Sequence, residues 1–546
     1  MRHPELLFTG GAVFAPHDGG ATPTTVAVDA GRITAVGDDS LRDLAGPSTG
    51  VVDIDGGLLI PGFQDAHVHP LSGGLGRLSC DLSTLDNASD YLAAIGSYAA
   101  ASPALEWVSG AGWMMAAFPG GLPRREALDS VVPDRPAYFT NRDGHGAWVN
   151  TRALELAGID ATTADPGDGR IERDADGVAT GVLHEGAMDL VVGLLPRATL
   201  DDQVEGLLEA QRHLHSLGIT AWQDAIVGSY SHIPDSSEAY RALATGGRLS
   251  ARVVGALWWT RTRGAEQIAE LVDRRERLSL PGFSATSVKI MQDGVAENFT
   301  AGMTAPYLDA CGHETSNRGL SMVDAAELRG YVTELDRLGF QVHVHAIGDR
   351  AVREALDAFE AARAANGPSD NRHHIAHIQL IHPDDVARFA ALGVAANMQP
   401  LWATHEAQMD ELTIPFIGAE RAAWQYPFGA LAASGATLVA GSDWPVSSPD
   451  PLWGIHVAVN RSLPGPDGTP GEPFLPHQAL DVTTALTAYT AGSAYVNHLD
   501  DTGRIAPGAV ADLAVLDRDI IAGPPDEVCA ATVQATYVGG VAVYER

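Results

Sequence analysis

Cysteine is nearly absent from this 546-residue chain, which has only Cys80, Cys311 and Cys529. An odd number without CxxC spacing argues against a disulfide framework and a thiolate zinc site, and reads as unpaired small apolar residues in a reducing compartment. Positive charge is scarce too: 35 Lys and Arg against 69 Asp and Glu leave a formal net charge of -34. Such a surface stays solvated and repels polyanions and anionic bilayers, so nucleic acid and membrane are excluded as partners. No stretch approaches the ~20 apolar residues of a membrane span, and Met1–Thr9 has no apolar core for a signal peptide, so a cytoplasmic location is expected. Internal repeats and low-complexity tracts are also missing. What is abundant is apolar mass: 45% hydrophobic residues at this length can bury a core larger than one simple domain needs.

The chain changes texture twice. Residues 1–60 read as short strands (Leu6–Thr9, Thr25–Val28, Arg32–Gly37, Val51–Ile54) broken by turn signals such as Asp18-Gly19-Gly20 and Asp55-Gly56-Gly57. Residues 501–546 repeat that texture in 512–517 and 535–544, and two β segments at opposite ends most economically build one small β-sandwich together. Between them, residues 61–500 alternate strand and helix. Val204 to Leu217 places Val204, Leu207, Leu208, Leu214 and Leu217 on one helical face, closed by Gly218 before the strand Ile219–Trp222. Further strands recur at 251–257, 287–291, 341–345, 373–377, 394–398 and 437–441, which with the run ending at His69 makes eight. Eight strands alternating with helices are what a (β/α)₈ TIM barrel requires, an α/β fold whose chemistry sits at the C-terminal strand ends. Residues of roughly 80–200, rich in Gly, Pro and Trp, do not fit the alternation; they read as an insertion over the active-site face.

Polar residues close these strands. In an extended strand alternate side chains point the same way, so His67 and His69 can reach one metal ion. Lys289 lies in the fourth strand, His345 ends the fifth, His377 the sixth, and Asp443 the eighth. Four imidazoles, a carboxylate and a lysine at one barrel mouth read as a two-metal site. A lysine in an apolar strand is costly as a buried cation. It can snorkel to water, pair with a carboxylate such as Asp293, or lose its charge as a carbamate formed with carbon dioxide. His343 and His373 share strand faces with His345 and His377 and read as structural. Asp65 is a turn residue or a carboxylate that orients a metal-bound imidazole.

These segments together resemble the amidohydrolase superfamily and, within it, the family 3 group of YtcJ-like proteins that includes N-substituted formamide deformylases. The resemblance rests on Pro61–His69, Asp143–Asn150, Thr180–Glu185, Val288–Gly294, His345–Arg350, Gly441–Val446 and Pro507–Leu516. It implies a distorted barrel flanked by a composite β-sandwich, with divalent metal at the strand ends. Carried across by position, His67 and His69 hold the more buried metal, Lys289 is the carboxylated bridge, His345 and His377 hold the second metal, and Asp443 is a ligand that moves protons. Ala376 departs from the pattern, where Glu is expected before the ligand histidine.

The implied reaction is metal-dependent hydrolysis of a carbon–nitrogen amide bond outside peptides. A two-ion centre supplies water of lowered pKa and a polarised carbonyl, and Asp443 takes the proton and returns it to the departing nitrogen. Zinc is the first expectation for the metal, with Mn, Fe, Co or Ni also compatible with imidazole and oxygen ligands. His145, Trp148, Glu185, Trp402 and Trp444 are candidate substrate contacts, with Trp113, Met114 and Met115 as further apolar candidates. No Arg or Lys cluster awaits an anionic group, which favours a neutral, fairly hydrophobic amide such as an N-substituted formamide. A one-metal deaminase of a ring amidine, an ester or lactone hydrolase, and a non-catalytic metal-binding protein are the rivals. The expected partner is a small-molecule substrate; the sequence leaves the oligomeric state open, a homo-oligomer included.

Overall fold

Eight runs without one exposed side chain form a parallel sheet that curls into a barrel: β1 (Phe63–Val68), β2 (Ile219–Val227), β3 (Arg252–Trp258), β4 (Phe283–Met291), β5 (Gln341–Ala346), β6 (His374–His377), β7 (Ala395–Met398) and β8 (Leu438–Ala440). They neighbour one another in sequence order, as right-handed strand–helix–strand units require. This architecture comes from a computed structural model, which describes residues 3–14, 21–230, 233–465 and 469–546.

β8 and β1 share no continuous ladder, and isolated backbone and side-chain hydrogen bonds close the gap between them. Asp443 N donates to His67 O (2.8 Å), Asn397 Nδ2 donates to Ala66 O (3.0 Å), and the Asp65 carboxylate accepts from Ser442 N (3.0 Å) and Ser442 Oγ (2.5 Å). A Cβ at Gly441 would stand 2.7 Å from His67 N, so only glycine lets the two chains approach this closely. The result is a nearly closed TIM-like barrel.

Helices cover the outside through one apolar stripe each. The helix Leu200–Ser216 begins four residues earlier than its apolar periodicity predicts, because Thr199 and Asp202 form a capping box. It buries Leu207, Leu208 and Leu214 against the barrel. The helix Asp349–Asn366 buries Ala351, Val352, Ala355, Leu356 and Phe359 in the same way.

Strands from both chain ends share a second, eight-stranded sheet. Leu513–Leu516 pairs antiparallel with Leu58–Pro61, and Leu6–Phe14, Ala21–Asp29 and Arg32–Gly37 extend it on one side. On the other side the run expected over 535–544 is a hairpin, Val533–Val538 and Val541–Glu545, turned at Gly539-Gly540 with φ of 55° and 75°. Of the predicted turns here, Asp18-Gly19-Gly20 lies outside the described residues.

A third sheet of six strands lies between residues 80 and 185, in the order Gly169–Arg173, Ala179–Glu185, Gly146–Val149, Ala137–Asn141, Val108–Trp113 and Cys80–Asp81. It inserts between β1 and β2 and presents its hairpin turn, residues 142–145, to the barrel mouth. No helix among the described residues is long and apolar enough to cross a membrane.

Candidate metal centre

A cavity opens at the C-terminal ends of the barrel strands, and His67, His69, Lys289, His345, His377 and Asp443 all line it. The tightest part is a triad whose ligand atoms lie within 4.8 Å of one another: His67, His69 and Asp443. Asp443 Oδ1 stands 3.0 Å from His67 Nε2 and 2.9 Å from His69 Nε2. Lys289 Nζ approaches His67 Nε2 at 3.4 Å, and His377 Nδ1 lies 3.8 Å from Asp443 Oδ2. The His345 ring is more distant from the triad, 4.4 Å from the His377 ring. Two of the six hold backbone that L-residues rarely adopt, His377 at φ 77° and Asp443 at φ 57°, a strain that clusters at functional sites.

A chain of hydrogen bonds inside the barrel fixes which nitrogen of His67 faces this triad. Gln341 Nε2 donates to two backbone carbonyls, Arg372 O (2.9 Å) and Val496 O (2.6 Å), so its Oε1 is the acceptor for Gln223 Nε2 (2.8 Å). Gln223 Oε1 must then accept, from His343 Nδ1 (2.7 Å) and from His374 Nε2 (3.0 Å). His343 Nε2 is left as an acceptor, filled by His67 Nδ1–H at 2.8 Å. His67 Nε2 therefore carries a lone pair, pointed at a carboxylate oxygen 3.0 Å away.

Two acceptors at that distance repel unless a cation sits between them. Asp443 Oδ1 is buried without a hydrogen-bond partner, as are His69 Nδ1 and His377 Nδ1. Neutral imidazoles, an ionised carboxylate and orphaned acceptors fit a divalent cation. Burial first, with Lys289 second, lowers the His67 imidazolium to about 3 and keeps that ring neutral. Burial likewise holds His345 and His377 well below the usual histidine range. For Asp443 burial works the other way, but the surrounding imidazoles outweigh it and keep the carboxyl well below its ordinary range.

Lys289 is 3% exposed, so it does not snorkel to water. Nor does it pair with Asp293, whose carboxylate is consumed by the N–H groups of Ile347 (3.0 Å), Gly302 (2.8 Å) and Gly348 (2.8 Å). Burial lowers its ammonium to about 7, against a smaller opposing effect of Asp443. It is also the only lysine in the chain; every other basic side chain among the 35 is arginine. Asp65 does not orient an imidazole either: it takes His67 N (3.0 Å) and the Ser442 pair, while His343 holds the His67 ring. His373 is structural, bound to Val342 N (3.0 Å) and Asp336 Oδ1 (3.0 Å).

The candidate substrate contacts divide. Trp402 lines the cavity and lies flat on His377, 5.4 Å between ring centroids and 2° between planes, and Trp444 lines it too. His145 also lines it, its Nδ1 3.0 Å from Glu185 Oε1, and Glu185 stands behind it at φ 51°. Trp148 does not reach the cavity: it is fully buried against Trp113 and Phe118, with its indole N–H donated to Arg124 O. Trp113, Met114 and Met115 are likewise absent from the lining. Two arginines unseen as a cluster in the sequence, Arg77 and Arg142, do line it; each is tied to the protein, Arg77 to Glu209 (2.9 Å) and Arg142 to Ser83 O (2.6 Å).

The profile of the amidohydrolase family matches residues 50–544. The chain belongs to the amidohydrolase family. Protein LONG AFTER FAR-RED 3 of Arabidopsis thaliana is 30% identical over 99% of this chain and 91% of its own length. A putative amidohydrolase, YtcJ of Bacillus subtilis, is 29% identical over 99% and 100%. The N-substituted formamide deformylase of Arthrobacter pascens is 26% identical over 95% of each chain. Among solved structures, an uncharacterized metal-dependent hydrolase from Pyrococcus furiosus superposes with a TM-score of 0.70 at 26% identity, covering 94% of this chain and 99% of that one. This amidohydrolase is thus a metal-dependent hydrolase of carbon–nitrogen bonds.

Proposed function

We propose that this amidohydrolase cleaves a neutral, fairly hydrophobic amide, an N-substituted formamide in the first instance, at a centre of two divalent cations, zinc being the expected ion. His67, His69 and Asp443 would hold one ion and His345 and His377 the other, with Lys289, as its carbamate, supplying oxygen ligands to both. The observation that carries the reading is the His67 Nε2 lone pair set against Asp443 Oδ1 at 3.0 Å, two acceptors that a bound cation would reconcile. An ammonium lowered to about 7 supplies the neutral amine that attacks carbon dioxide, and once its proton is lost to solvent the carbamate adds one negative charge beside the Asp443 carboxylate and the neutral imidazoles. When bound, the ions supply a water of lowered pKa and polarise the carbonyl.

The chain's own groups divide the remaining work. Asp443 Oδ2, the carboxylate oxygen turned away from His67 and His69, takes a proton and returns it to the departing nitrogen; without it an amine anion would have to leave. Tyr230, Trp258, Met291, Val295, Ile347 and Trp402 give the cavity an apolar wall for the nitrogen substituent. His145, braced by Glu185, meets the substrate from the opposite wall, and the inserted sheet excludes bulk water. The tethered state of Arg77 and Arg142 supports a neutral substrate over an anionic one. We place the enzyme in the cytoplasm and read the terminal sheet as the small sandwich that braces the barrel.

Convergence of only His67, His69 and Asp443 within 4.8 Å favours one alternative, a single-ion deaminase of a ring amidine. Elemental analysis of protein purified without chelator, beside a panel of N-alkyl formamides, anionic amides, lactones and cyclic amidines, decides. Two ions per chain and turnover of the apolar formamides are expected; one ion with amidine turnover, or turnover of the anionic amides alone, overturns the proposal.

A further inference from the structure

Between β4 and the helix Ala325–Arg337 the chain makes an excursion whose tip is a tight hairpin. Leu308 and Glu314 bridge antiparallel, Asp309 N donates to His313 O (2.8 Å), and Gly312, at φ 81°, donates to Asp309 O (2.9 Å). The base is fixed: Leu308 N donates to Phe416 O (2.8 Å), Thr315 N to Tyr307 O (2.9 Å), and Tyr307 is buried. At the tip, Asp309 Oδ1 accepts from Cys311 N (2.8 Å) and His313 N (2.9 Å), which orients the carboxylate and leaves Oδ2 3.4 Å from His313 Nδ1. Cys311 is exposed, against its reading as a small apolar residue. Ligand atoms of Asp309, Cys311 and His313 all lie within 4.8 Å of one another.

We propose that Asp309, Cys311 and His313 form a second metal site, outside the barrel, for a borderline-soft divalent cation such as zinc or cobalt(II). A thiolate beside an imidazole and a carboxylate selects such ions over magnesium or calcium. Metal–ligand bonds of about 2.0–2.3 Å put tetrahedral ligand atoms roughly 3.3–3.8 Å apart, so rotation of three exposed side chains by about 1 Å closes the set. Binding releases the Cys311 thiol proton to solvent and forms the metal–sulfur bond. Three ligands leave the fourth position to water, which makes the ion exchangeable. The same excursion carries Gly294 O, which accepts from His345 Nε2 (3.2 Å), and Thr300, whose hydroxyl donates to Glu185 Oε1 (3.1 Å), so an ion at the tip stiffens a segment that frames the cavity.

The barrel cluster contains no sulfur, which separates the two sites spectroscopically. Cobalt(II) is titrated into the metal-loaded enzyme under a phosphine reductant while thiolate-to-cobalt charge-transfer absorption is followed. One further equivalent is expected to bind with that band. Cys311→Ser removes the band, His313→Ala weakens binding about 10-fold or more, and Cys529→Ser leaves the band unchanged, with hydrolysis retained in all three. A wild-type enzyme without the band, or a band that survives Cys311→Ser, overturns the proposal.

Discussion

The two walls that face each other across the cavity treat their carboxylates in opposite ways. On the barrel wall Asp443 Oδ1 meets the lone pair of His67 Nε2, acceptor against acceptor, and the nearby Lys289 amine, 3.4 Å from that nitrogen, is one whose charged form burial disfavours. On the inserted wall Glu185 meets its own cation: burial disfavours a charged His145, but the Glu185 carboxylate outweighs it and raises that imidazolium to about 9. One wall is built to receive an ion; the other is already neutralised and can only shape and orient.

The largest expected break in that contrast is Asp443→Asn. It keeps an oxygen ligand but loses the proton carrier, so turnover should fall about 10²–10⁴-fold while metal content, read by elemental analysis, persists. Retained activity would remove Asp443 from proton transfer. Next is Lys289→Met, expected to empty the second ion position and cost about 10–100-fold in metal affinity, with partial recovery of activity on adding acetate, whose carboxylate can stand in for the carbamate. Gln223→Leu sharpens the argument from a distance. It touches no ligand, yet it frees the His343 and His67 tautomers, and a metal dissociation constant weaker by about 10–100-fold is expected.

The smallest effect concerns the inserted wall. Because the folded-state pKa of His145 lies above that of an ordinary histidine, its pairing with Glu185 stabilises the fold fully below pH about 6.5 and is lost as pH rises through about 9. Melting temperature against pH should therefore drop less steeply between those limits in His145→Gln than in the parent chain. Identical slopes would mean that the pair carries no charge.

Much of this was legible in the order of residues because barrel strands announce themselves as short apolar runs between turns, and because a polar side chain at the end of each run has only the barrel mouth to face. His67, His69, His345, His377 and Asp443 were readable on that ground. Gln223 and Gln341 were not, since an amide within a strand gives no hint of which backbone carbonyl will fix its orientation. Trp148 misled because tryptophans in a glycine-rich insertion look like loop residues. It stands instead between Ala147 and Val149 on a strand, and strand parity turns its ring into the insertion's own core. Lys289 offered a signal of another kind: a chain that uses arginine everywhere else has kept one amine, and kept it buried.

That singularity makes the molecule its own reporter. Isotope-enriched lysine would place one labelled side chain in the whole protein, so a single resonance, free of any neighbour to resolve, would tell whether the amine is bare or carries carbon dioxide.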